Sequence, residues 1–383
     1  MKTSRSIFAI AVSVLIISGC SIFSANDEIE PAKLEAFDQK VALTPVWSAK
    51  PVTNNNSYWS PLKMAASKYT VFAADHSGTV VALDADTGHE QWSVDLDLPI
   101  SGGLGYGDQT VVLGTIEGQV YSLNAEDGTV LWSSSVSSEV LSTPSVNSDI
   151  VVAQSIDNRI FTFNAKTGEE LWQHDAGAPI LSVRGNSSSI IFKNTVIAAF
   201  DNGKLIAFNS DNGSLIWETR LAVPKGRTEL ERMIDIDGGP ILVDDIIYSV
   251  SYQGRLGALT RGTGRNLWFQ DGSSHYSPAY SNGKLFVTEA KNHTVKAFKA
   301  GSGQLLWSND QLEYRELNAP LVFSDYVAVA DAEGYLHLLD TETGAFVGRT
   351  KVDGSGVSAP LLVIDETLLI QSNNGSVSAF KIQ

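Results

Sequence analysis

The sequence predicts an all-β chain: a closed ring of four-stranded antiparallel sheets whose N-terminal strand completes the last one. Three observations carry this. A nine-residue phrase recurs, a tight-turn signal precedes each copy, and the two chain ends are complementary. The phrase reads Asp84-Ala-Asp-Thr-Gly88-His-Glu-Gln-Trp92, then Asn124-Ala-Glu-Asp-Gly128-Thr-Val-Leu-Trp132, then Asn164-Ala-Lys-Thr-Gly168-Glu-Glu-Leu-Trp172. It returns with Gly213 and Trp217, Gly264 and Trp268, Gly303 and Trp307, and finally Gly344, where Gly348 stands in place of Trp. Successive Trp positions are 39 to 51 residues apart. A self-similar period of about 40 residues signals a repeat architecture.

Each unit contains short β-branched and aromatic runs bounded by turn residues, such as Thr79-Val-Val-Ala-Leu83 and Arg159-Ile-Phe-Thr-Phe163. These are strand signals. Ahead of each run sits a hairpin turn: Ser77-Gly78, Glu117-Gly118, Asp157-Asn158, Asn202-Gly203, Gln253-Gly254, Lys291-Asn292, Glu333-Gly334 and Asn374-Gly375. Gly and Asn tolerate the positive φ that such turns need. Pro61, Gly103, Pro144, Pro240, Pro278, Pro320 and Pro360 mark the approach to a first strand. Each unit therefore has four strands, A to D, with the Trp on D. After Gly348 only A, B and C remain, up to Lys381, while Trp47 lies 45 residues before Trp92, in phase with the repeat. Residues 44–383 are thus expected to form an eight-bladed β-propeller closed by the strand around Trp47, which leaves no loose sheet edge between the chain ends. A Trp at one fixed place per unit is best used as a wedge between neighbouring blades.

The 383 residues carry a formal charge of −16, which argues against nucleic acid and against docking on anionic lipid. Cys20 is the only cysteine, so an intrachain disulfide or cysteine metal cluster is excluded. Lys2 and Arg5, the apolar run from Ile7 to Ile17, and Ile17-Ser18-Gly19-Cys20 have the layout of a secretory signal, too short to span a membrane. Ile-Ser-Gly-Cys resembles the bacterial lipobox. That resemblance implies a signal peptide over 1–19, lipid on Cys20 and, with Ser21 next, sorting to the outer membrane. Residues 20–43 read as a flexible tether, with room for a short helix around Pro31 to Lys40. A coil of that length, about 25 residues, reaches on the order of 25–30 Å.

Signals for catalysis are weak. The six histidines scatter over different units without metal spacing, and no Gly-x-Ser-x-Gly elbow or P-loop occurs. Asp244-Asp245 reads as a strand-end turn, because adjacent strand residues face opposite ways. The Asp-x-x-x-Gly phrases lack the dense carboxylates of Ca²⁺ loops. No catalytic residue, metal site or cofactor is expected. The unit closely resembles the repeat of the quinoprotein (PQQ) dehydrogenases, which would make a periplasmic PQQ-dependent enzyme the alternative reading. Those enzymes carry a vicinal cysteine pair that is absent here, and the repeat marks a fold and not an activity.

If the blades are scaffold, unusual links between them are where function concentrates. From each D-strand Trp position to the next first strand the link is 10 to 14 residues in six places, but 17 after Trp172 and 23 after Trp217. These two links enter and leave the same blade. The first carries Leu181-Ser-Val183-Arg184-Gly, and the second Glu229-Leu-Glu-Arg-Met-Ile-Asp235-Ile-Asp237. An apolar pair, an arginine and carboxylates are the mixture of a protein-binding surface. With the lipobox, the tether, the eight blades and Glu333-Gly-Tyr-Leu-His337, these segments resemble the BamB family of lipoproteins over essentially the whole chain. The resemblance implies a non-enzymatic scaffold of the outer-membrane β-barrel assembly (BAM) machinery. It would be lipid-anchored in the outer membrane and face the periplasm. The implied partner is a POTRA domain of BamA, with unfolded β-barrel clients also in reach. The implied contacts are Leu181, Val183 as a conservative departure from Leu, Arg184, Asp235 and Asp237. The two Asp residues would either accept from the partner or hold Arg184.

Overall fold

The computed structural model describes residues 30–53, 61–179, 181, 182, 187–223, 227, 228 and 230–383, with only the backbone of Arg232. Its strands form eight four-stranded antiparallel sheets. We number the blades along the chain: blade 1 spans 65–95, blade 2 100–135, blade 3 145–175, blade 4 190–220, blade 5 241–272, blade 6 279–309 and blade 7 321–351. Blade 8 joins the two chain ends, with strands Leu362–Ile364, Thr367–Gln371 and Val377–Ile382 followed by the N-terminal strand Leu43–Ala49, here called β1. Leu43 pairs with Ile382 and Trp47 with Ala379, with a bulge between Pro45 and Trp47. Blades 1 to 3 have the same irregularity in their C–D hairpins. The expected ring and its closing strand are both present. Asp244-Asp245 is the expected turn, with Asp245 bonded to Arg261 at 2.6 Å.

The core is not central. It is divided into eight clusters of buried side chains, one in each seam between neighbouring blades. The B and C strands are covered on both faces, as in Thr70–Ala74 and Thr79–Asp84, so they read as apolar runs instead of alternating. Only the outer D strands, such as Glu90–Asp95, alternate. The repeated Trp closes each seam. Its indole Nε1–H donates to a carbonyl of the next blade: Trp47 to Ala85, Trp92 to Ala125, Trp132 to Ala165 and Trp172 to Ser210, at 2.8 to 3.0 Å. Trp217, Trp268 and Trp307 continue the series onto Arg261, Ala300 and Thr341. Each ring lies flat on the next blade's turn glycine. A Cβ on Gly88 would come 2.4 Å from Trp47, and one on Gly168 2.6 Å from Trp132. These glycines also take positive φ, near +70°. Burying about 150–250 Å² of indole at about 25 cal/mol per Å² is worth at most on the order of 4–6 kcal/mol per seam.

The exception follows from the closure. Blade 8 has no C–D turn, because its third strand, Val377–Ile382, pairs with the N-terminal β1, so a Trp at position 348 would find no turn glycine to cover. The lead-in to β1 takes its place: a Cβ on Gly348 would meet the Val41 carbonyl at 2.9 Å. The amides of Lys40 and Val41 both donate to Val347 O at 2.9 Å.

Residues 31–42 correct the sequence reading. No helix forms around Pro31 to Lys40, and the segment is an extended strap along blade 7. The Ala32 amide donates to Glu313 O, Leu34 packs into the seam of blades 6 and 7, and Phe37 meets Phe346 at 5.5 Å. Beneath it lies a buried charged network. Arg315 Nε and His337 Nε2 both bond Asp331 Oδ2, at 2.7 and 3.0 Å, and Arg315 Nη2 bonds Glu333 at 2.7 Å. Arg349 Nε donates to His337 Nδ1 at 3.1 Å. A guanidinium can only donate, so Nδ1 accepts, and His337 is neutral with its proton on Nε2. Burial pushes the His337 pKa down against the pull of Asp331. Among the described residues no helix is long and apolar enough to cross a membrane.

Three outcomes are expected. Deleting residues 374–383 removes the partner of β1, and urea unfolding should lose its single cooperative transition. Gly168→Ala should cost about 1–3 kcal/mol in the same assay through overpacking on Trp132 and strain at positive φ. His337 prefers to be neutral when folded, so its stabilising contribution is complete above the unfolded pKa of about 6.5 and is lost as pH falls from there towards its depressed folded value. Amides 32, 40 and 41 should exchange faster at pH 5 than at pH 7 once intrinsic rates are corrected.

Candidate protein-binding surface

The links between blades share one face with the B–C hairpin turns, shown by Leu96, Val136, Ala176, Leu221 and Val352 donating to carbonyls of Gly78, Gly118, Asn158, Gly203 and Gly334. On this link face, residues 176–189 connect blades 3 and 4, and residues 221–240 connect blades 4 and 5. They flank blade 4 as expected. By strand limits the link 50–64 is also long. Spacing from Trp47 to Pro61 hid it, because the first strand of blade 1, Ala65–Ala66, starts late and is only two residues.

The 221–240 link has a pinned base and an open crest. At the crest, Leu230–Arg232 makes one 3-10 turn. Thr228 and Glu231 cap it reciprocally: Thr228 Oγ1 accepts from the Glu231 amide at 3.2 Å, and Glu231 Oε2 accepts from Arg227 N at 2.7 Å and Thr228 N at 3.3 Å. This is a capping box. The Arg227 and Thr228 amides hold the Glu231 carboxyl below its usual pKa. Towards the base, Ile234 and Ile236 are buried, Ile236 in the seam of blades 4 and 5. The Tyr252 amide donates to Asp235 O at 2.7 Å. At Gly238 a Cβ would meet Tyr276 C at 2.3 Å, so only glycine lets this link pass so close to residues 273–278, the link between blades 5 and 6.

The sequence-derived site residues divide between crest and base. Leu181 is exposed (44%). Val183, Arg184 and the lipid candidate Cys20 lie outside the described residues. Asp235 is wholly buried (0%), and the Asp237 side chain is 10% exposed, with Oδ2 3.1 Å from His275 Nδ1. His275 in turn stacks on Tyr252 at 4.3 Å. Neither carboxylate is openly presented to solvent. A third carboxyl sits with them. Burial pushes Asp201 well up in pKa, the charges of Asp237 and Asp235 add to this, and the Ser182 hydroxyl opposes it. Burial likewise raises Asp237, against its bond from His275. The second link supplies two residues that link length did not single out: Val223 (53% exposed) and Leu230 (65%). Leu181, Val223 and Leu230 are the exposed large apolar side chains of these two links among the described residues. Their signal in the sequence was an apolar residue inside a charged, turn-rich segment.

Next to Asp237 and His275 opens the central channel, about 690 Å³, walled by the segments that precede the first strands and including Pro61, Pro278, Pro320 and Pro360. Lys63 reaches into it, open to channel water but enclosed by protein, which lowers its pKa. Among the described residues no group of three or more His, Cys, Asp or Glu is arranged to hold a metal ion.

With this geometry in place the relatives can be weighed. A family model described as outer membrane protein assembly factor BamB matches residues 76–309 and 291–383. The BamB of Pseudomonas aeruginosa is 47% identical over 98% of both chains, and that of Escherichia coli K12 is 32% identical over 96% of both. The chain belongs to the BamB family. The crystal structure of BamB from Moraxella catarrhalis superposes with a TM-score of 0.82 at 28% identity, covering 89% of this chain and all of that one. A quinohemoprotein alcohol dehydrogenase from Comamonas testosteroni gives a TM-score of 0.70 at 13% identity, covering 88% of this chain and 76% of that one, a likeness of fold alone.

The capping box sets the crest of this BamB-family chain. Thr228→Ala should cost about 0.5–2 kcal/mol locally, seen as faster exchange of the Arg227 and Glu231 amides with the melting temperature of the ring unchanged.

Proposed function

We propose that this chain is a non-enzymatic scaffold lipoprotein of the BAM complex, holding a periplasmic POTRA domain of BamA on the two links that flank blade 4. In doing so it aids assembly and insertion of β-barrel proteins into the outer membrane. The observation that carries the reading is the exposure of Leu181, Val223 and Leu230 on adjacent links, above a base held rigid by buried side chains, in a member of the BamB family. Solvent-exposed apolar anchors on a pinned frame lose little conformational entropy on binding, which favours affinity.

In this reading Leu181 and Val183 anchor an apolar contact and Arg184 makes a charge-assisted bond to the partner. Asp235 and Asp237 either accept from the partner or hold Arg184. Cys20 carries lipid that keeps the propeller at the periplasmic side of the outer membrane. Binding geometry, and not covalent chemistry, is the output.

Arg184→Ala should weaken binding of purified BamA POTRA domains about 30-fold, the equivalent of about 2 kcal/mol, with thermal stability unchanged. Leu181→Ala should act in the same direction. Calorimetric titration that finds wild-type affinity in both variants would sink the assignment.

A further inference from the structure

Glu333-Gly-Tyr-Leu-His337, singled out in the sequence, takes no part in the surface around blade 4. It lies at the B–C turn and third strand of blade 7, where it organises the network beneath the strap. The two arginines of that network point outwards at backbone. Arg315 Nη1 donates to Ala32 O at 2.9 Å, and Arg349 Nη1 donates to Glu35 O at 2.9 Å. Arg349 also lies against the rings of Phe37 and Phe346, 4.9 and 5.0 Å from their centroids. Arg315 is 4% exposed and is held by Asp331 and Glu333, so its grip is preorganised and not a loose surface contact.

We propose that blade 7 is a built clasp for the membrane tether, with Arg315 and Arg349 gripping the strap through Ala32 and Glu35. The clasp has two consequences. First, the stretch of sequence between the lipid and the first held residues is 21–30 instead of everything up to β1. At about 3.3–3.6 Å per residue, its full stretch from Cys20 is about 40 Å with the strap held and about 80 Å with it released. Second, a pull on the lipid is taken by side-chain grips on blade 7. Without them it would fall on the Lys40 and Val41 amides at Val347 and then on Leu43, the first residue of the ring-closing strand, peeling its pairing with Ile382 one pair at a time. The held end of the strap lies at Ala32, whose amide bonds Glu313 O in the link between blades 6 and 7.

The tether part rests on Cys20 carrying the lipid, and the clasp itself does not. The test uses the full-length lipidated chain in nanodiscs, comparing it with Leu34→Ser/Phe37→Ser, changes confined to the strap. Hydrogen exchange should show the Ala32, Lys40 and Val41 amides at least about tenfold less protected in the variant, with β1 amides equally protected in both as the check on folding. A dye on Glu117→Cys, exposed at the link-face turn of blade 2, should transfer less energy to lipid-borne acceptors in the variant. Equal exchange in both proteins overturns the clasp. Changed exchange with unchanged energy transfer overturns its role in setting the tether. Mass spectrometry that finds no lipid on Cys20 overturns the anchor reading separately, because exchange alone decides the clasp.

Discussion

At seven of the eight seams a blade is held to the next by an indole laid on a glycine. The Trp of one D strand covers the turn glycine of the following blade and donates its N–H to a carbonyl there, as Trp132 does to Gly168 and Ala165. The recurring phrase places Gly and Trp four residues apart in sequence, yet the pair that makes contact belongs to neighbouring copies. A glycine is required twice over, by the positive φ of the turn and by the flat approach of the ring. The contact fixes how neighbouring blades meet in space and not the length of chain between copies, so the interval runs from 39 to 51 residues as the links on the other face vary.

This constraint explains the one place where it is absent. Where the chain ends meet, no turn glycine exists, and position 348 carries no Trp. The strap crosses there instead, with the Val41 carbonyl over Gly348. Closure is therefore made of two parts, β1 within blade 8 and the strap on blade 7, and the N-terminal segment bridges the final seam. A ring closed in this way buries every seam, and the links are free to lengthen without loss of core. Those around blade 4 use that freedom.

The lengthened links are ordered unevenly. Ile234, Asp235, Ile236 and Asp237 point inwards, while Leu181, Val223 and Leu230 point out. Burying the carboxyls of Asp201, Asp235 and Asp237 near one another is unfavourable, and the raised pKa values of Asp201 and Asp237 record that cost. Burial, with repulsion added at Asp201, presses Asp201 and Asp237 towards the neutral, protonated form, beneath a crest whose exposed large side chains are apolar.

Eight blades, the D-strand wedge, the closing strand around Trp47 and the two unequal links were all determined by the sequence, because each is a local pattern or a departure from one. The burial of Asp235 and Asp237 was not, since it depends on what covers them from other blades. Nor was the strap: an extended segment with little periodicity looks the same whether solvated or gripped. Its partners, Arg315 and Arg349, lie 283 and 314 residues further along the chain. Repetition writes near-neighbour geometry into sequence again and again, and so makes it legible. A single long-range contact is written once, and only the folded ring brings its two halves together.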